Sequence, residues 1–181
     1  MSRRPLLITP EYRELNQQLH ENPDYGVASL MYVDQVLALI QSLKVEALLD
    51  YGAGKGRLGQ ALEGKLKVFN YDPAVEKYAA EPSPAEFVVS IDVLEHIEPD
   101  CLDAVLDHMA RLTERAIFLT VATVPAHKEL ADGRNAHLIV ETPEWWLPKL
   151  WQRWELQFYN KLDTGFVYLG TPRVRSNQAA A

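Results

Sequence analysis

Three groups of residues in this sequence have types and spacings that could do chemistry. Asp50-Tyr51-Gly52-Ala53-Gly54-Lys55-Gly56 sets alternating glycines behind an acid. Glycine permits the positive φ angles and close backbone approach that a turn around a cofactor requires. Asp72 follows about 20 residues further on, where a carboxylate can accept hydrogen bonds from both hydroxyls of a ribose. Gly54, Gly56 and Gly59 also fit the dinucleotide pattern G-x-G-x-x-G, so a nicotinamide cofactor is a competing reading. In that frame the first glycine should directly follow a strand, and Gly52 takes that place.

Asp92, Glu95 and His96 form the second group. A helical turn beginning at Asp92 would place all three on one side. Two carboxylates and an imidazole can hold a divalent metal once another ligand joins. The third group is His127 and His137, both in the long stretch after the fourth apolar run. His127 there could act as a general base near neutral pH.

The elements that must position these groups follow from periodicity. Thr9, Pro10 and Glu11 open a helix over 9–21, Asn22-Pro23-Asp24-Tyr25-Gly26 breaks it, and a second amphipathic helix spans 27–43. Short apolar runs then alternate with helical segments: strands at 45–50, 67–72, 87–92 and 116–121, helices from Leu58 and over 99–112. A loop of about twenty residues, long enough to suggest function, precedes a capped helix at 142–150. Runs 154–160 and 165–169 can pair as a hairpin. Apolar strands alternating with helices predict an α/β fold with a mostly parallel sheet covered on both faces. The expected organisation is 1–43 as N-terminal lid helices, 44–172 as the core and 173–181 as a loose tail.

Composition narrows the class. The 181 residues are 48% hydrophobic and 24% charged, with 18 basic residues against 25 acidic ones and a net charge of −7. That balance disfavours a large nucleic-acid surface, which depends on Lys and Arg neutralising phosphates. No apolar run is long enough for a membrane span, and no leader is read, so a cytoplasmic protein is expected. The single cysteine, Cys101, excludes a disulfide framework and reads as a core thiol. Trp145, Trp146, Trp151 and Trp154 read as packing for the last helix rather than as a stacking platform, and His20 and His108 as solvated helix-surface residues.

The pattern acid-x-Gly-x-Gly-x-Gly at Asp50–Gly56, with Asp72 and the Asp92…Glu95-His96 segment, resembles class I S-adenosylmethionine (SAM) methyltransferases. The His137…Pro143-Glu144-Trp145 segment resembles two branches of them: ubiquinone-biosynthesis O-methyltransferases and small-RNA 3′-terminal 2′-O-methyltransferases. The resemblance implies a Rossmann-like sheet, shortened to about six strands because 73–87 has no room for a full helix and strand. It implies SAM held by Asp50, Gly52, Gly54, Asp72 and Asp92. It also implies a divalent metal (magnesium, manganese or zinc) on Asp92, Glu95, His96 and His137, with His96, His127 and His137 as catalytic candidates. Those branches usually carry Glu where this chain has the shorter Asp92. The implied activity is methyl transfer to a hydroxyl of a small molecule. A nucleoside or RNA 3′ end, or a SAM-binding module without catalysis, are the alternatives. The oligomeric state is not legible.

Overall fold

The computed structural model describes residues 5–22 and 25–173. Most of the stretch read as a tail, 174–181, lies outside them. Helix α1 (Pro10–Glu21) begins as its sequence requires: Thr9 Oγ1 accepts the Tyr12 N–H at 3.1 Å, and Pro10 sits in the first turn, where no N–H is needed. The helix expected over 27–43 divides into a 3-10 turn, Ala28–Tyr32, and α2 (Val33–Leu43). Lys44, in the left-handed region at φ 54°, closes α2.

Six strands form one sheet: β1 (Ala47–Tyr51), β2 (Lys67–Tyr71), β3 (Ala85–Ile91), β4 (Thr113–Ala122), β5 (Trp154–Leu162) and β6 (Gly165–Pro172). Their order is β2-β1-β3-β4-β6-β5. The first four run parallel, and the β5–β6 hairpin joins β4 antiparallel through β6. This is the mixed, six-stranded sheet that the apolar pattern predicts.

Alternation along each central strand sends side chains to two buried faces. Leu49, Tyr51, Val88, Ile117 and Leu119 pack against α4 (Leu102–Leu112) and α5 (Pro143–Trp151). Leu48, Phe87, Val89 and Phe118 pack against α2 and the short α3 (Arg57–Ala61). Between β2 and β3 the chain makes only one 3-10 turn, Glu76–Tyr78, so the thinned middle is a loop. A third, smaller cluster of Ile8, Tyr12, Ala74 and Leu130 ties α1 across the carboxyl ends of the parallel strands.

Burial corrects two surface expectations. His108 is 1% exposed; its Nδ1 lies 2.9 Å from the Tyr51 hydroxyl and its Nε2 3.1 Å from Glu81 Oε1. A period-3.6 reading of α4 could not see that β1 and β2 end in two tyrosines that enclose this ring. His20 is half-buried against the glycine turn instead of solvated. Three of the four tryptophans follow the packing expectation: Trp146 and Trp154 are fully buried and Trp145 meets Trp146 edge-on at 5.0 Å, whereas Trp151 is exposed. Among the described residues no helix is long and apolar enough to cross a membrane.

Candidate functional site

The turn after β1 leaves the sheet by backbone hydrogen bonds to the neighbouring strand: Gly52 N and Ala53 N donate to Tyr71 O at 2.8 and 3.0 Å. Gly52 has φ +81°, and a Cβ there would come within 2.5 Å of Val93 Cγ2. Gly54 has φ +50°, and its Cβ would meet His20 Cε1 at 2.9 Å. These two positions need glycine both for their dihedrals and for the side chains pressed against them. Gly59, the third glycine of the dinucleotide frame, instead lies inside α3.

Asp72, at the end of β2, binds the turn directly. Its Oδ2 accepts Gly54 N at 2.9 Å and its Oδ1 accepts Ala74 N at 2.9 Å. Each carboxylate oxygen retains a lone pair for a ligand. Asp50 is buried at the end of β1; burial, with the Asp72 charge adding to it, pushes its pKa up to about 7. Beyond this turn a cavity of about 480 Å³ opens, within the range of small-molecule sites. Asp50, Gly52, Gly54, Asp72 and Asp92 all line it, as do His96, His127 and His137. Buried carboxylates beside a glycine cradle suit a cationic, ribose-bearing cofactor, and SAM fits that description.

After β3 the chain does not enter a regular helical turn. Asp92 takes φ +59°, held by Thr120, whose Oγ1 accepts the Asp92 N–H at 3.0 Å, and a 3-10 turn follows at Leu94–His96. This bend brings Asp92, His96 and His137 together, with one ligand atom of each within 4.8 Å of the others. A tetrahedral site with ~2.0 Å bonds has an edge of ~3.3 Å, which sets how closely these donors must sit to share a metal.

Glu95 departs from the ligand set expected from the sequence. It is fully buried and its Oε1 accepts Ala122 N at 2.7 Å, which anchors the bend to β4. Burial, with the nearby Asp92 charge adding to it, raises its pKa well above the carboxylate range and favours the neutral acid. The i, i+3, i+4 spacing puts these three residues on one side only in a regular helix, and the left-handed Asp92 redirects Glu95 inward.

The two histidines are oriented by backbone carbonyls. His96 Nδ1 lies 2.7 Å from Ala136 O, and His137 Nδ1 lies 2.6 Å from Val124 O. A carbonyl only accepts, so each Nδ1 carries the hydrogen and, in the neutral ring, Nε2 carries the lone pair. Burial lowers the His96 pKa to about 4, against the opposing Asp92 charge, so its ring is neutral near pH 7. The two rings meet edge-on at 4.7 Å. His127 is exposed at the cavity mouth. Helix α1 covers the inner side: the Tyr12 hydroxyl donates to His96 O at 2.5 Å, and Thr9 N and Oγ1 donate to Glu98 at 2.8 and 2.7 Å.

A family profile described as a methyltransferase domain matches residues 27–165. The chain belongs to this methyltransferase-domain family. No curated protein sequence matches it significantly. Solved structures do. The 1,6-didemethyltoxoflavin-N1-methyltransferase of Burkholderia thailandensis, with its acceptor and S-adenosylhomocysteine bound, is 17% identical over 93% of this chain and 92% of that one, at TM-score 0.64. Magnesium protoporphyrin IX methyltransferase from Synechocystis, with SAM bound, is 15% identical over 91% and 99%, at TM-score 0.62. The N-methyltransferase NodS of Bradyrhizobium japonicum, in complex with S-adenosylhomocysteine, is 12% identical over 89% and 98%, at TM-score 0.62. At such identities the likeness establishes the fold: this methyltransferase domain has the Rossmann-like class I architecture with its antiparallel terminal hairpin.

Among the cavity residues that carried no functional signal in the sequence are Asn16 and His20 on α1 and Lys128 in the long loop. The sequence signal that could have found His20 is the break at residues 22–26, which ends α1 just after it. Cys101 is buried, as read, and burial raises its thiol pKa.

Proposed function

We propose that the domain transfers a methyl group from SAM to a hydroxyl of a small molecule, with a divalent metal on Asp92, His96 and His137 as the assisting group. When bound, SAM supplies a sulfonium methyl open to displacement. Gly52, Gly54 and Asp72 bind its nucleoside portion, and Asp50 offers charge to its cationic portion. The observation that carries the hydroxyl reading is the imidazole pair, with both Nδ1 atoms committed to carbonyls and both Nε2 lone pairs left for an acceptor proton. Where no metal occupies these lone pairs, an acceptor O–H loses its proton to one of these nitrogens as the C–O bond forms; where a metal holds them, the proton goes to the His127 ring instead. A metal at the same donors would lower the pKa of a bound hydroxyl and orient it. His127, at the mouth, is placed to relay the proton to water. Family membership supports SAM as the methyl source. Among the described residues Lys128 is the only Lys or Arg lining the cavity, which favours a small neutral acceptor over RNA.

The test is turnover of methyl-labelled SAM with a panel of catechols, nucleosides and RNA 3′ ends, alongside calorimetric titration with SAM and NAD. Transfer to a hydroxyl of a small molecule is expected. Transfer only to nitrogen acceptors would overturn the hydroxyl reading, and SAM binding without transfer to any acceptor would favour a binding module. NAD binding without SAM binding would overturn the cofactor. His137→Ala is expected to lower activity and divalent-metal affinity together, whereas full activity after chelation would remove the metal.

A further inference from the structure

Tyr25, just after the helix break, is half-buried and lines the same cavity. Its ring meets His20 edge-on at 5.1 Å and His96 edge-on at 6.1 Å, so neighbouring rings fix its orientation. The Nζ of Lys128, from the long loop, lies over this ring at 5.7 Å from its centroid. Asp92 and Asp72 line the same cavity, and their charges add to the effect of burial in raising the Tyr25 hydroxyl pKa. A π-face that opens on a cavity lined by Asp72 and Asp92 suits a positive charge, and the cation now over it is a lysine ammonium.

We propose that Tyr25 is the charge-reading residue of the cofactor site, its face receiving the sulfonium of SAM in place of the Lys128 ammonium. The proposal rests on the SAM reading above and deepens it. In the transfer the S–CH₃ bond breaks with its electron pair going to sulfur, the methyl bonds to the acceptor oxygen, and the hydroxyl proton leaves to an imidazole. The cofactor therefore enters as a cation and leaves as a neutral thioether. An attraction that requires charge acts before transfer and vanishes after it, so the ring retains the methyl donor and lets the spent product go. Lys128, free to return over the ring, then competes against rebinding of the product.

Calorimetric dissociation constants of SAM and S-adenosylhomocysteine, measured on the full chain without acceptor, test this. Tyr25→Leu is expected to weaken SAM about five- to thirtyfold, the range of a desolvated cation–π contact, and to change S-adenosylhomocysteine by less than about twofold. Tyr25→Phe keeps the ring and should preserve the native ratio of the two constants. Lys128→Met removes the competing charge and should tighten SAM more than S-adenosylhomocysteine. Equal weakening of both ligands by Tyr25→Leu would make Tyr25 a plain wall and overturn the proposal. Loss of the ratio in Tyr25→Phe would assign the effect to the hydroxyl and overturn it as well, and weaker SAM binding in Lys128→Met would overturn the exchange of cations. If the native chain binds neither ligand, the SAM reading itself fails, an outcome distinct from all of these.

Discussion

At the end of β1 the Asp50 carboxyl is walled off from water beside a second acid, and this has a measurable consequence. Its folded pKa of about 7 stands above its unfolded value of 3.8. The folded chain therefore holds a proton that the unfolded chain releases. The stability this contributes is fully present below about pH 4 and is lost as the pH rises through 7. Asp50→Asn should accordingly raise the melting temperature of the ligand-free protein at pH 8, by about 4–8 °C for an effect of ~2 kcal/mol, and change it little at pH 4. Thermal melts at the two pH values check this. A cationic ligand prefers the ionised acid, so SAM affinity should climb between pH 5.5 and 7.5 in the native chain and stay flat in the variant.

Among the elements, α1 decides whether the cavity has an inner wall. It is a polar helix with two fully engaged anchor points, Thr9 on Glu98 and Tyr12 on the His96 carbonyl. Thr9→Ala removes both the cap on Tyr12 N and one bond to Glu98. It should cost about 1–2 kcal/mol of local stability and make cleavage after Arg13 by trypsin faster, with no change in the cleavage of the sheet. Such anchoring was only half legible in the sequence. The Thr9-Pro10-Glu11 start announces the helix, because capping is local chemistry. Nothing local announces Glu98, which lies far along the chain. The same limit explains Glu95: its inward turn depends on the φ of Asp92 and on an Ala122 N–H that β4 presents from the next strand. Periodicity reports which face of an element is apolar, and the central strands, apolar on both faces, were accordingly readable. It does not report where a bend sends one side chain.

The whole molecule is a complete sheet with an economical middle, where the loop holding Glu76–Tyr78 replaces a helix and strand and α1 closes the side left open. Ala74, from that loop, packs with Ile8 and Tyr12. Removing residues 1–22 should therefore leave the sheet folded, since its two large cores draw on later elements. Circular dichroism should show the strand content retained, while SAM affinity falls at least about tenfold because the covering wall is gone. The glycine turn and the acids that line the cavity were legible because a tight turn after a strand imposes residue types on neighbouring positions. That α1 lines the cavity with Asn16 and His20 depends on contacts from across the chain, which no local pattern announces.

Asp92 combines two demands in one position: a carboxylate facing the histidines and a backbone at φ +59°. The amino-acid alphabet separates them. Asparagine and glycine tolerate the left-handed region without the charge, while glutamate restores the charge on a backbone that resists it. On the proposed role of Asp92, the substitutions that selection for folding would accept at this position are the ones that selection for activity would discard. A library screened first for expression and then for activity would show position 92 passing with Asn or Gly in the first sieve and returning to Asp in the second.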